Sequence, residues 1–194
     1  MQVLGITGTL GAGKGTIVEY LIRNFGFRHY SVRALLTEFI LERGLQVNRD
    51  SMVLVANELR RAHGPSFLVE TLYERALQTG QHCVIESIRT PGEVYALRQK
   101  GAFVLLAIDA DPALRYQRIQ ARNSETDQIS FETFLENEAR EMTSKDPHHQ
   151  NLRACIELAD YLFRNDEDIP ALYVQVEEVV NQLLLQKNAL WKMP

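Results

Sequence analysis

A chain of 194 residues with 45% hydrophobic and 24% charged residues is most simply one domain, long enough to bury a core without staples. Its formal charge of −4 gives no global attraction to nucleic acid, and its apolar runs fall far short of the ~20 residues of a membrane helix. Cys83 and Cys155 sit alone in apolar stretches with no metal or redox spacing, and no signal peptide precedes the first strand, which suits a cytoplasmic protein with reduced core thiols.

Residues 2–7 form an apolar run that suits a buried strand, and Ile17, Tyr20, Leu21 and Phe25 then recur at helical spacing. Between them lies Gly8-Thr9-Leu10-Gly11-Ala12-Gly13-Lys14-Gly15-Thr16. Strand, glycine-rich turn and helix in that order are the context of a phosphate-binding loop. Glycines let consecutive N–H groups turn inward around a polyphosphate, and the helix aims its positive end at the same place. Lys14 adds a point charge. Gly8, Gly11, Ala12, Gly13, Lys14, Gly15 and Thr16 are thus the expected nucleotide-binding residues.

Further strands are expected at 28–31, 82–86, 103–108 and 161–163. Helices are expected at 14–25, 34–43, 49–63, 65–79, 91–100, 112–122, 130–144, 151–158 and 170–187. Thr90-Pro91 and Asp111-Pro112 read as N-caps followed by prolines at the first helical position, and Gly80 and Gly101 as helix stops. The alternation argues for an α/β fold with a parallel sheet covered on both faces. Functional residues in such folds fall just after the strands.

Arginine outnumbers lysine about three to one, so position must decide which arginines matter. Glu86 ends an apolar strand, and Arg89 follows three residues later. Arg115, Arg118 and Arg122 share one helical face. Such a stack needs anions, either a bound phosphate or local acids such as Glu125 and Asp127. Residues 123–150 form a polar helical excursion that carries Arg140, and the adjacent His148 and His149 read as loop residues. Residues 32–81 are largely helical and present Arg33, Arg49, Asn57, Arg60 and Arg61. Asn57 and Arg61 are four apart and share a face.

The Gly-Lys-Gly-Thr ending puts Gly15 directly after the lysine and Thr16 one place later, which resembles the adenylate kinase and nucleoside-monophosphate kinase group. Arg118-Ile119-Gln120-Ala121-Arg122 resembles the entry to the adenylate kinase lid, and the wider run also looks like dephospho-CoA-kinase-like proteins. The resemblance implies a three-layer P-loop kinase fold: a five-stranded parallel sheet of order 2-3-1-4-5, helices on both faces, a helical acceptor-binding insertion at 32–81 and a helical lid at 123–150. It implies ATP and Mg²⁺ as cofactors, the metal held by ATP oxygens, water and a carboxylate, with Thr16 and Glu86 on the metal side. It also implies that Arg118 packs on the adenine and Arg122 reaches phosphates, with Arg140 as a returning lid arginine. Lys14, Glu86, Arg118, Arg122 and Arg140 would then form the catalytic set, and Arg33, Asn57, Arg61 and Arg89 the acceptor side.

This chain departs from the family where the acceptor sits. Monophosphate kinases show Asp-Gly-Phe-Pro-Arg where it has Glu86-Ser87-Ile88-Arg89. Adenylate kinases place an arginine where it has Thr37, with Arg33 one turn earlier. Dephospho-CoA kinases place an aspartate after the second strand, and His29-Tyr30-Ser31 holds none. The expectation is ATP-dependent transfer of the γ-phosphoryl group to a small nucleotide-type acceptor, foremost a (deoxy)nucleoside monophosphate. Alternatives are a hydroxyl acceptor such as dephospho-CoA or a nucleoside with Glu86 as base, a regulatory nucleotide-binding module, and an ATPase acting on a protein partner. Neither nucleic acid nor membrane is expected as a partner, and the protein would be a monomer or homodimer.

Overall fold

A computed structural model describes residues 1–122 and 129–190, with side chains as far as residue 185. Glu125 and Asp127, the acids expected beside the arginine helix, lie outside the described residues. The strands are β1 (Val3–Gly8), β2 (Arg28–Ser31), β3 (Cys83–Glu86), β4 (Phe103–Asp109) and β5 (Tyr161–Arg164). The helices are α1 (Lys14–Phe25), α2 (Val32–Glu42), α3 (Arg49–His63), α4 (Phe67–Leu77), α5 (Pro91–Gln99), α6 (Pro112–Arg122), α7 (Phe131–Met142), α8 (Leu152–Glu157) and α9 (Ile169–Leu190).

All strand pairs are parallel, and the order is β2-β3-β1-β4-β5, as the resemblance implied. Alternation along the strands divides the core. Leu4 and Ile6 of β1 pack with Ile17, Val18 and Leu21 of α1 and with Leu172, Val176 and Val180 of α9. Val3, Ile85 and Leu105 point the other way, toward α2, α3, α4, α5 and α8. Period-two side chains with helices on each face give the three layers.

Helix starts follow local chemistry. Thr90 and Glu93 form a capping box on α5, with Pro91 in the first turn. Asp111 accepts from the N–H groups of Ala113 and Leu114 at the start of α6. Ser31 caps Ala34, so α2 begins at Val32, directly after β2 and two residues earlier than expected. Asn48 and Ser51 make a second capping box on α3. Pro65 belongs to the turn before α4, which starts at Phe67.

One buried ion pair ties the helical insertion to the sheet. Arg60 of α3 is 1% exposed and gives Nε and Nη2 to Glu93 Oε1, at 3.2 and 2.8 Å. Glu93 Oε2 accepts the N–H groups of Arg89 and Thr90, at 2.8 and 3.1 Å. One carboxylate therefore fixes α3, the start of α5 and the loop after β3. Glu93→Ala would leave a buried guanidinium with no counter-charge and should cost about 3–5 kcal/mol in urea unfolding. The double substitution Arg60→Met with Glu93→Gln should recover most of that loss, because no buried charge is then stranded.

Candidate active site

The phosphate loop is held by backbone geometry and by residues far away in sequence. Gly8 has φ 135°, and a Cβ there would lie 2.1 Å from the Ile108 carbonyl oxygen on β4. Gly13 caps α1 at φ 108° with no side-chain hydrogen bond, and no acid stands in the first turn. The first N–H groups of α1 are thus left for an anion. Thr9 Oγ1 donates to Asp109 Oδ1 at 2.7 Å, and Asn165 Nδ2 donates to the Ala12 carbonyl at 2.7 Å. Arg115, 2% exposed, donates to the Leu10 and Ala110 carbonyls and to both oxygens of Glu138 on α7.

Lys14 folds over this loop, donating from Nζ to the Gly8 and Thr9 carbonyls at 2.9 and 2.7 Å. Burial first, then the charges of Arg89 and Arg122, lower its pKa to about 7 against the opposing pull of Glu86 and Glu141. Carbonyl oxygens are a weak substitute for phosphate oxygens here.

A cavity of about 520 Å³ opens from the loop. Gly11, Gly13, Lys14, Gly15 and Thr16 line one side, and no atom lies within 4 Å of where a Gly15 Cβ would stand. Six basic side chains reach its wall: Lys14, Arg33, Arg49, Arg60, Arg89 and Arg122. Three acids join them, Glu19, Glu86 and Glu141. Val32, Leu36, Met52, Val53 and Ala56, from α2 and α3, supply an apolar patch. Ser87, on the same wall, holds φ 72°, a left-handed conformation rare for a residue with a side chain.

Glu86 ends β3 and lies 3.0 Å from His29 Nε2 on β2. Burial would raise its pKa, but the His29 hydrogen bond and charge, with Lys14 and Arg89, outweigh burial and hold the carboxyl below its ordinary value. Arg89 Nη1 donates to Glu141 Oε2 at 2.6 Å and to Gln150 Oε1 at 2.8 Å. The other oxygen of Glu141 takes Nη2 of Arg49.

Several expected site residues lie elsewhere. Gly8 and Ala12 are buried beneath the loop and do not line the cavity. Arg118 turns to the end of β5 and donates to the Asn165 carbonyl at 2.9 Å. Arg140 bonds Asn137 within α7 and is absent from the cavity wall, where the adjacent Glu141 stands instead. Arg61 meets His149 at 2.8 Å and Asp146 at 3.5 Å on the outer face of α3, and Asn57 also lies off the cavity. His148 and His149 are loop residues, as expected. Arg115 is a strut under the loop, in contact with Phe134 at 5.4 Å, and not a free cation of the arginine helix. Residues that the sequence left unassigned here are Glu141, Ser87, Asn165 and Glu93.

A parallel sheet of this order with a phosphate loop after its central strand is the architecture of the P-loop nucleotide-kinase-like superfamily. The chain belongs to the AAA domain family, whose pattern it matches over residues 4–146. It is 28% identical over 189 residues to a UPF0200 protein of Methanococcus vannielii, covering 95% of this chain and 98% of that one. A UPF0200 protein of Thermococcus kodakarensis is also 28% identical, over 94% of this chain and 98% of its own. Among solved structures, TT1252 from Thermus thermophilus aligns with a TM-score of 0.55 and 22% identity over 94% of this chain and 97% of its own. Shikimate kinase from Bacteroides thetaiotaomicron aligns at 0.52 with 13% identity, over 93% of this chain and 98% of its own. These likenesses are of fold. No helix among the described residues is long and apolar enough to cross a membrane.

The state of Lys14 gives a measurable consequence. With a free-site pKa of about 7, Lys14 is mostly neutral at pH 8 and mostly charged at pH 6. A polyphosphate in the loop favours the charged form and raises that pKa. Binding of the ATP–Mg²⁺ complex, whose phosphates are already deprotonated at pH 6, should therefore take up close to one proton at pH 8 and almost none at pH 6, read by calorimetry in buffers of different ionisation enthalpy. Lys14→Met should abolish the uptake.

Proposed function

We propose that this protein is an ATP-dependent phosphotransferase whose acceptor is a small nucleotide-type molecule already carrying a phosphate, a nucleoside or deoxynucleoside monophosphate. The observation that carries this reading is the wall facing Lys14, where Arg33, Arg49, Arg60 and Arg89 share one cavity with the phosphate loop. An uncharged nucleoside acceptor would call for a base and gains nothing from four arginines, whereas dephospho-CoA would offer its diphosphate to them but still call for a base at its hydroxyl. A phosphate acceptor is ionised already and calls for cations. The apolar patch from α2 and α3 offers a surface for a base or sugar beside them.

Residues 1–194 act in this reading as one domain, with 32–81 as the acceptor-binding insertion and 123–150, of which 123–128 lie outside the described residues, as the lid. The loop N–H groups and Lys14 hold the ATP phosphates, and Arg118 of α6, whose guanidinium bonds the Asn165 carbonyl just past β5, is assigned to the adenine side. Lys14 and Arg122 neutralise charge on the transferred group. The donor set suits Mg²⁺ held indirectly, since no group of three or more His, Cys, Asp or Glu able to hold a metal occurs among the described residues. Thr16 and Glu86 would hold it through water and ATP oxygens, and it would add charge neutralisation between the phosphates. The lowered pKa of Glu86 makes it a weak base and a persistent anion, which supports the water-ordering role over proton abstraction. Arg140 has no part in this reading.

A panel of nucleoside and deoxynucleoside monophosphates, nucleosides and dephospho-CoA, incubated with ATP and Mg²⁺ and read by mass spectrometry, tests it. Phosphorylation of a monophosphate is the expected outcome. Product from a nucleoside or dephospho-CoA alone would make Glu86 a base, and no product despite ATP binding would leave a nucleotide-binding module. Lys14→Ala should lower kcat by about 10²–10³-fold with the fold intact. Arg33→Ala should raise the acceptor KM well above any change in the ATP KM.

A further inference from the structure

Glu141 is placed oddly for a structural acid. It stands in the last turn of α7, where a negative charge faces the negative end of the helix. Its two oxygens are divided between Arg49, at the start of α3, and Arg89, in the loop after β3. One carboxylate bridging two guanidiniums reproduces what two oxygens of a phosphate would do. All three groups line the cavity and remain partly exposed, with side chains 32%, 26% and 16% accessible for Arg49, Arg89 and Glu141. The charge of Glu141 also reaches Lys14 across the cavity.

Two further observations bear on the same spot. Arg60 lines this wall, and its buried Nη1 has no hydrogen-bond partner, so a donor is left unmet although Glu93 satisfies Nε and Nη2. Glu141 also stands at the end of its helix. Glu138, nearly one turn earlier, is fixed by Arg115, whereas α7 ends at Met142 and Thr143 is extended. The Glu141 side chain lies beyond the anchor and next to the helix end.

We propose that the Glu141 carboxylate is an internal stand-in for the acceptor's phosphate, occupying the seat of Arg49 and Arg89 beside Arg60 in the free protein and leaving it when a phosphate arrives. This rests on reading the cavity as the acceptor side. The exchange keeps the arginines close together and paired while the seat is empty. It also sets a threshold: a ligand must out-compete a tethered carboxylate, which a phosphate dianion does better than a neutral hydroxyl.

The test is binding of inorganic phosphate to the full chain, with a non-hydrolysable ATP analogue filling the phosphate loop. Glu141→Gln removes the competing charge and keeps the shape, so phosphate should bind about tenfold tighter or more than in the wild type. Adding Arg89→Gln to that variant should cancel the gain. If the analogue does not bind, the same titration in a Lys14→Ala background reads the arginine seat without the loop lysine. Equal or weaker phosphate binding by folded Glu141→Gln would overturn the proposal, because a purely structural acid should loosen the arginines when removed. The two readings fail separately. Monophosphate phosphorylation with no gain in Glu141→Gln sinks only the exchange, and a gain without any transfer sinks only the kinase assignment.

Discussion

Six cations around one small cavity repel each other, and that repulsion is the constraint to which the rest of the site responds. Lys14, Arg33, Arg49, Arg60, Arg89 and Arg122 converge where the strands of one parallel sheet end. The fold sets specific acids among them. Glu93 takes the buried Arg60, Glu141 takes Arg49 and Arg89, and Glu86 stands between His29 and Lys14. Among the described residues Lys14 hydrogen-bonds only carbonyl oxygens, and burial first, then the charges of Arg89 and Arg122, lower its pKa despite Glu86 and Glu141. An anion entering the cavity relieves this strain, so a site of this kind is poised by its own electrostatics.

The acids differ in permanence. Glu93 is fully buried, and both its oxygens are engaged, one of them by backbone N–H groups that would be orphaned without it. It is structural, and it carries the position of Arg89 with it. Glu141 is partly exposed and bonded only through side chains. Glu138, about as exposed as Glu141, clamps Arg115 under the loop and so couples α7 to the phosphate-binding backbone. Helix α7 thus touches the loop through Glu138 and the opposite cavity wall through Glu141.

Much of this was legible in the sequence. The loop, all five strands, the sheet order and the capping residues Thr90 and Asp111 follow from local pattern and from the family resemblance. What was not legible depends on helix phase and distant contacts. Adjacent residues on a helix point about 100° apart, so reading Arg140 or Arg61 in place of Glu141 or Arg60 moves a residue from outside to wall. A signal was present in both cases. Arg60 lies four residues after buried Ala56, and Glu141 four after buried Asn137 and seven after buried Phe134. Asn165 offered no such signal, because its role is a contact with Ala12 across the sheet.

The loop after β3 shows how the departures from family pattern fit together. Ser87 adopts a left-handed backbone without being glycine, a strain that must be compensated. The compensation is visible nearby: Ile88 N–H bonds Ile6, the Ile88 carbonyl accepts Thr7 Oγ1, and Glu93 gathers the N–H groups of Arg89 and Thr90. This network holds Glu86 and Arg89 on the wall of one cavity from the two ends of one short turn. Arg33 and Arg89 then approach the cavity from α2 and from beyond β3, with Arg49 and Arg60 from α3 between them. The arginine wall of the cavity is therefore assembled from three elements that share no local motif. Its character is set by charge and burial, which is why spacing along the chain revealed the phosphate loop readily and this arginine wall only in part.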